Sequence, residues 1–491
     1  MCLGCTMYRK QDKAQLTMDE FYIPFGDGLD ANNRWIKIAK LIPWDFIEEQ
    51  YAKNFSDEMG RPSIASRIAF GAAYIKEQEN LTDDGTVAYL CENPYAQYLV
   101  GLKAFCKEPL FEASMMVHFR KRITPEMLQR INEIMYERSH PVEKNQSEDK
   151  DEPPEGESGN KGTLILDATV APADIKYPTD LGLVNDCREN TEKFIEKLWE
   201  FSGKTGHKTA YSRKKARKSY LRVAKQRKAK AKATKRAIGE QLICVEKNLE
   251  TLDKLQKAIG ENKLSPAEKE RLETIGKVHE QQRFMHGTDS HSCPDRIVSL
   301  RQPHVRCIVR GKAGRPYEFG QKLHLSVVNG FTFIEEQSYD NFNEGIQLKE
   351  AVERYKTRFG HYPEAVLADT IYRNRDNRAF CKEHGIRLSG PKLGRPRKDE
   401  TEEDKSQSYK DSCERNMVEG RNGIAKRRYG LDLIMAYLAQ TGKTEAALQI
   451  LAMNIAHLLR LLLHLFWRLF WQVLEGTGWG KKTLRIGFTA A

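Results

Sequence analysis

Asn329-Gly330 stands between two runs of strand character. Tyr317 to Val328 precedes it, with Leu323, Leu325 and Val327 alternating, and Phe331 to Tyr339 follows it. An Asn-Gly pair tolerates the positive φ angles of a two-residue turn, so these residues predict a β-hairpin and commit the chain to a sheet. Further strand signals surround it. Gly162-Thr-Leu-Ile-Leu-Asp-Ala-Thr-Val170 is a near-continuous apolar run that reads as a buried strand, with Asp167 inside it. Glu364-Ala-Val-Leu-Ala-Asp369 reads as a strand ending in an acid, and Ile386-Arg-Leu-Ser389 as another short strand. Helices are predicted from Gly345 to Phe359, then through Cys381, and again across Cys413–Lys426. The expected order is strand, long insertion, strand, hairpin strand, helix, strand, helix, strand, helix. That is a mixed α/β sheet with both antiparallel and parallel pairing, with Asp167 in its first strand and Asp369 at the end of its fourth.

Residues 20–140 have a different character. Pro62 to Gln78 carries Ile64, Ile68, Ala72 and Ile75 at helical spacing, and Asn80-Leu-Thr-Asp-Asp84 provides a capped restart for a second helix through Leu90. Glu112 to Arg122 makes a third helix that closes on Arg120, Lys121 and Arg122. Short helices joined by tight turns and ended by bases suit an all-α, helix-turn-helix-like DNA binder, and equally a plain helical bundle. Residues 144–161 contain no large apolar side chain, cannot offset their ordering entropy, and mark a disordered linker.

The net charge is +12, from 80 Lys+Arg against 68 Asp+Glu. Residues 204–236 alone hold fifteen Lys+Arg and no acid, so the rest of the chain is close to neutral. Ala, Lys and Arg dominate there and no Pro or Gly falls between 207 and 238, which predicts one continuous basic helix including Arg213, Lys214, Lys215, Arg217 and Lys218. Two more helices are expected near 240–258 and 266–283, separated by Gly260 and Ser265-Pro266. Such a block is either a solvated face or a contact to DNA phosphates.

The ten cysteines are scattered too sparsely for a disulfide scaffold and fit a reducing cytoplasm. Cys2-Leu-Gly-Cys5 is a single pair where a zinc site needs four ligands, and Met7 would be as good a start as Met1. His286, His291 and Cys293 lack a fourth ligand and are taken as structural. Gly-Arg-Pro at 60, 314 and 394 suits minor-groove loops and ordinary turns alike. Ala446 to Leu474 is apolar, but Arg460, His464 and Arg468 recur every four residues, which predicts a packed amphipathic helix and no membrane partner.

Three acids stand out by position: Asp167, Asp369 and Glu419. Arg415, Glu419 and Lys426 fall within about 40° of one another on a helix turning about 100° per residue. A carboxylate bracketed by two bases on one face can be aimed at a metal and at phosphates together. Three clustered carboxylates repel one another and need cations, and two Mg²⁺ ions would also clamp the attacking and leaving oxygens of phosphoryl transfer. Residue type and position leave open three unrelated surface or capping acids.

Leu164-Ile-Leu-Asp-Ala-Thr169, Val366-Leu-Ala-Asp-Thr-Ile-Tyr372 and the Arg415-x₃-Glu419-x₆-Lys426 spacing resemble the signature blocks of DDE transposases of bacterial insertion sequences. The nearest group is that of the fourth and fifth numbered insertion sequences. The N-terminal helices with Phe119-Arg-Lys-Arg122, and the stretches Asp295-Arg-Ile-Val298 and Val309-Arg-Gly-Lys312, are also similar to that family. The resemblance implies a ribonuclease H-like catalytic fold, with Asp167, Asp369 and Glu419 as catalytic, metal-binding acids for two Mg²⁺ (or Mn²⁺). It implies that Arg415 and Lys426 contact DNA near the cut. The fuller signature has a Tyr three residues before the Arg, where this chain has Ser412; Tyr409, about a turn earlier, is the available substitute.

The expected organisation is an N-terminal helical DNA-binding domain (1–140), an acidic linker (141–162), a catalytic domain (163–185 and 295–430), a basic helical insertion (186–294) and a C-terminal helical segment (431–491). The expected function is Mg²⁺-dependent cleavage and strand transfer of double-stranded DNA at terminal inverted repeats, by a cytoplasmic homodimer on DNA. The alternatives are a DNA-binding remnant or regulator without catalysis, and a ribonuclease H-fold nuclease without strand transfer.

Overall fold

The computed structural model describes residues 28–55, 63–140, 159–203, 208, 210–260, 263–312, 315–390 and 402–476. The Cys2–Cys5 pair, the alternative start at Met7, the Gly-Arg-Pro triplets at 60 and 394, Gly314 of the remaining triplet and nearly all of the linker lie outside them.

Among the described residues, seven helices come first: α1 (Arg34–Leu41), α2 (Trp44–Ala52), α3 (Ser66–Glu79), α4 (Asp83–Glu92), α5 (Pro94–Leu99), α6 (Met115–Arg122) and α7 (Pro125–Ser139). Asn80 ends α3 in the left-handed conformation, and two residues later the Thr82 hydroxyl caps α4 by accepting from Gly85 N. The restart expected at Asn80–Asp84 therefore forms as two local caps. Asn93 and Thr124 cap α5 and α7 in the same way, each followed by a proline at the first helical position.

The sheet begins with β1 (Thr163–Pro172). After it come α8 (Asp180–Phe201), α9 (Arg213–Ala224), α10 (Ala231–Ile259) and α11 (Pro266–Thr288). The order continues β2 (Arg306–Lys312), β3 (Arg315–Val328), β4 (Phe331–Ser338), α12 (Leu348–Phe359), β5 (Ala365–Leu367), α13 (Arg375–Glu383), β6 (Arg387–Leu388), α14 (Glu402–Tyr429) and α15 (Ala439–Gly476). The strands form one mixed sheet in the order β2-β3-β1-β5-β6, with β4 also on β3. β1 is antiparallel to β3 and parallel to β5, so it joins an antiparallel half to a parallel half. Asn329 and Gly330 have φ of 50° and 82°, the two positive angles of the hairpin turn between β3 and β4. The mixed α/β sheet expected from the sequence is present, and its pairing is consistent with a ribonuclease H-like domain.

Two expectations need correction. An additional strand, β2, precedes the hairpin, so Asp369 follows the fifth strand and not the fourth. Arg306-Cys-Ile-Val-Arg-Gly-Lys312 hid it because charges at both ends mask the short apolar stretch. The basic block is not one helix but a hairpin, broken over Lys225–Lys230 between α9 and α10. Helix propensity permitted continuity; packing overrides it, because folding back buries Val223 with Leu181 and Ala237. The later breaks occur where expected: Gly260 caps α10 with φ of 73°, and Ser265 with Glu268 forms a capping box on α11.

α8, α10 and α11 share a core of their own, including Leu183, Phe194, Leu198, Val245, Leu252 and Val278. The principal core unites the N-terminal helices, β1, β3, β4, α12, α14 and α15. The stretch Ala439–Leu463 of α15 is long and apolar enough to cross a membrane, yet its side chains from Ala446 to Leu458 pack mainly into that core. Arg460 is exposed, and the side chains of His464 and Arg468 lie outside the described residues.

Candidate active site and nucleic-acid interface

Side chains alternate across β1. Leu164 and Leu166 enter the principal core, while Ile165 packs on the other face with Val327, Ala365, Leu367 and Val418. Asp167 shares the pleat face of Ile165 and is half-buried. α14 crosses that face, and Val418 seated against Ile165 and Leu367 brings Glu419 and Asn422 over Asp167. A second anchor is Arg421, whose Nη2 donates at 2.9 Å to Asn454 Oδ1; Asn454 in turn donates to Thr332 O at 2.7 Å and to Asn132 Oδ1 at 2.9 Å. α7, β4, α14 and α15 are thereby tied by one buried polar network.

Asp369 lies at the exposed end of β5, where its carboxylate accepts from Thr370 N at 2.7 Å and caps a short 3-10 turn. The loop at Asn343–Gly345 closes against this turn. A Cβ on Gly345 would meet Ile371 O at 2.6 Å, and Gly345 O accepts from Asn374 Nδ2 and Asn377 Nδ2. Only glycine permits that approach.

Asp167, Asp369, Arg415, Glu419 and Lys426 all line one open cavity of about 730 Å³. Glu344, Arg310, Lys322 and Asn422 line it as well. Tyr409 and Ser412 are exposed on α14 and are not among its lining residues. Burial raises the Asp167 carboxyl above its ordinary range; Glu344 and Glu419 push it the same way, against the Ala168 amide and Arg310. Lys322 is buried, with Nζ 2.8 Å from Glu344 and donating to Phe342 O at 2.8 Å. Asn422 donates through Nδ2 to Asp167 Oδ2 at 2.9 Å. Burial, then the anions of Glu344, Asp167 and Asp369, also raise the Tyr372 phenol. Among the described residues, no three His, Cys, Asp or Glu side chains come close enough together to hold one ion. The donor set is nonetheless all oxygen and crowded with anions, which is the chemistry a hard divalent cation takes. His286, His291 and Cys293 form no such group either, and a His286 ring nitrogen bonds Lys235 O.

Sequence reasoning missed Glu344, Lys322, Arg310 and Asn422. Glu344 carried no periodic signal and becomes local to Asp167 only through the loop–turn clamp. Asn422, three residues beyond Glu419, was accessible to the same helical-face argument that grouped Arg415 and Lys426 with Glu419.

The expected DNA-contacting cations divide. Arg120 is 6% exposed and pairs in bidentate fashion with Asp83, both bonds 2.7 Å, so its assignment to DNA is corrected to a structural ion pair. Arg122 stacks over Phe55 at 4.7 Å, and Lys121 is exposed. In α9, Arg213 is likewise drawn inward, to Glu196 and Glu192, whereas Lys214, Lys215, Arg217 and Lys218 are exposed.

A mixed sheet whose strand ends and covering helix gather acids beside bases suits a hard cation and a phosphate side by side. Comparison with known proteins is more specific. Residues 366–456, which include Asp369, Arg415, Glu419 and Lys426, match the Transposase DDE domain family, and residues 24–122 match the Transposase domain (DUF772) family. A curated relative, the uncharacterized protein ORF8 in nfe locus of Rhizobium meliloti, is 29% identical over 212 residues, 42% of this chain and 90% of that protein. No solved structure matches. The chain is related to the DDE transposases of bacterial insertion sequences.

Proposed function

We propose that the cavity is the centre at which this transposase cuts and joins DNA at the ends of its own element. The observation that carries this reading is convergence. Acids from β1, the β5 turn and α14, far apart in sequence, line one cavity with Arg415 and Lys426. Asp167, Asp369 and Glu419 would hold divalent cations, Mg²⁺ or Mn²⁺, which supply charge neutralisation and activation of the attacking oxygen. Arg415 and Lys426 bind phosphates flanking the cut, and the half-buried position of Asp167 limits the water around it. The exposed cations of α9 grip the DNA backbone outside the site. The protein works in the cytoplasm as a dimer that holds two ends.

Replacing Asp369 or Glu419 by Ala abolishes nicking of terminal-repeat DNA in Mg²⁺ while leaving gel-shift affinity within about threefold, since neither acid binds phosphate directly. Nicking at the wild-type rate by either variant refutes the assignment. A wild-type protein that shifts the DNA but never nicks it supports the binding-only alternative.

A further inference from the structure

We propose that Asn422 is a positioning residue of the acid cluster: it holds Asp167 by one carboxylate oxygen and offers its own amide oxygen to a divalent cation. This rests on the reading of the cavity as a metal-dependent centre.

Asn422 lies three residues beyond Glu419, so one helical turn sets both on the face of α14 that meets β1. Its side chain lines the cavity in a residue only 9% exposed. Nδ2 donates to Asp167 Oδ2 at 2.9 Å, while Oδ1 is buried and, among the described residues, receives no hydrogen bond. An ionised carboxylate can only accept, so the amide must present its N–H₂ to Asp167 and its oxygen elsewhere. A buried carbonyl oxygen without a donor is costly, and such an atom in a native fold calls for a partner that the protein itself lacks.

The surrounding charges identify that partner. Glu344 and Glu419 both act on the Asp167 carboxylate that Asn422 holds, which disfavours a further anion and favours a cation. Hard divalent cations take amide carbonyl oxygens together with carboxylates. Two of the four bases that line the cavity are engaged with carboxylates, Arg310 with Glu318 at 3.6 Å and Lys322 with Glu344. A hydrogen bond to one oxygen of a ligating carboxylate also fixes which oxygen remains for the ion, as outer-shell partners do in metal sites.

The test is calorimetric titration of MnCl₂ into the DNA-free, full-length protein, with melting temperatures recorded alongside. Asn422→Leu keeps the side-chain shape and removes both polar functions; Asn422→Ala removes them and opens space. Both should weaken Mn²⁺ binding about tenfold or more, the usual cost of losing an outer-shell partner, while a role in packing alone would lower only the melting temperature. Affinities within twofold of wild type in either folded variant overturn the inference. Asp167→Asn separates the two levels. If it loses Mn²⁺ while the Asn422 variants keep it, only the role of Asn422 fails. If it binds Mn²⁺ as wild type does, or if the wild type binds none, the metal-centre reading fails with it.

Discussion

Phe119-Arg-Lys-Arg122 in α6 and Arg213-Lys-Lys-Ala-Arg-Lys218 in α9 are both short, cation-rich helical segments. In α6 the guanidinium of Arg120 is buried on Asp83 and that of Arg122 lies over Phe55, so the run is largely consumed in joining helices. In the run 213–218 of α9 only Arg213 is drawn inward, and the other four cations stay at the surface. The difference lies in what faces each run. α6 packs against acids and aromatics of the principal core, whereas α9 has only a narrow apolar stripe, Ala216 and Val223, to bury. A basic run becomes a candidate phosphate contact when its neighbours leave its charges in solvent.

The largest effect should come from the exposed run. Replacing Lys214, Lys215, Arg217 and Lys218 by Ala together should lower the slope of log DNA affinity against log salt by about 3 to 4, because each phosphate contact contributes about 0.9. An unchanged slope would break the comparison. Arg120→Ala should act on stability instead. We expect a loss of about 3 kcal/mol in denaturant unfolding, at the low end for a broken buried pair because Asp83 keeps a quarter of its side chain in solvent. Its salt slope should match wild type; a reduced slope with full stability would return Arg120 to the DNA. Lys121→Ala should reduce the slope by at most about 1.

The smallest effect concerns pH. Burial raises Glu77, which neighbours Arg120 in the same buried network, to about 7; Glu445 pushes it upward and Lys76 opposes. A carboxyl with a raised folded-state pKa binds its proton more tightly in the native protein. Its stabilising contribution is therefore present below the unfolded value near 4.5 and is lost as pH rises towards 7. Glu77→Gln should flatten this part of the melting-temperature profile between pH 5 and 8, with no change in DNA affinity. A variant profile parallel to wild type would remove Glu77 from the account.

Where local chemistry decided the outcome, the sequence was legible. Asn329-Gly330 set the hairpin, and Gly260 with Ser265-Pro266 set the turn between α10 and α11. Asp167, Asp369 and Glu419 were expected as a cluster, and they line one cavity. What remained hidden depended on tertiary contacts. Lys225–Lys230 is compatible with helix until α9 folds back on Leu181 and Ala237. Arg120 and Lys121 are equivalent until Asp83 is seen beside one of them. Glu344 joins the cavity only because Gly345 lets its loop approach the Asp369 turn.

The central claim is that gripping DNA and reacting with it belong to different regions. Strand transfer tests it most directly, with pre-cut terminal DNA carrying a free 3′-OH supplied in Mg²⁺ alongside target DNA. Wild type should join the strands, and Asp167→Ala should bind the same DNA with an unchanged salt slope and form no joined product. Joining by Asp167→Ala at the wild-type rate would contradict the account.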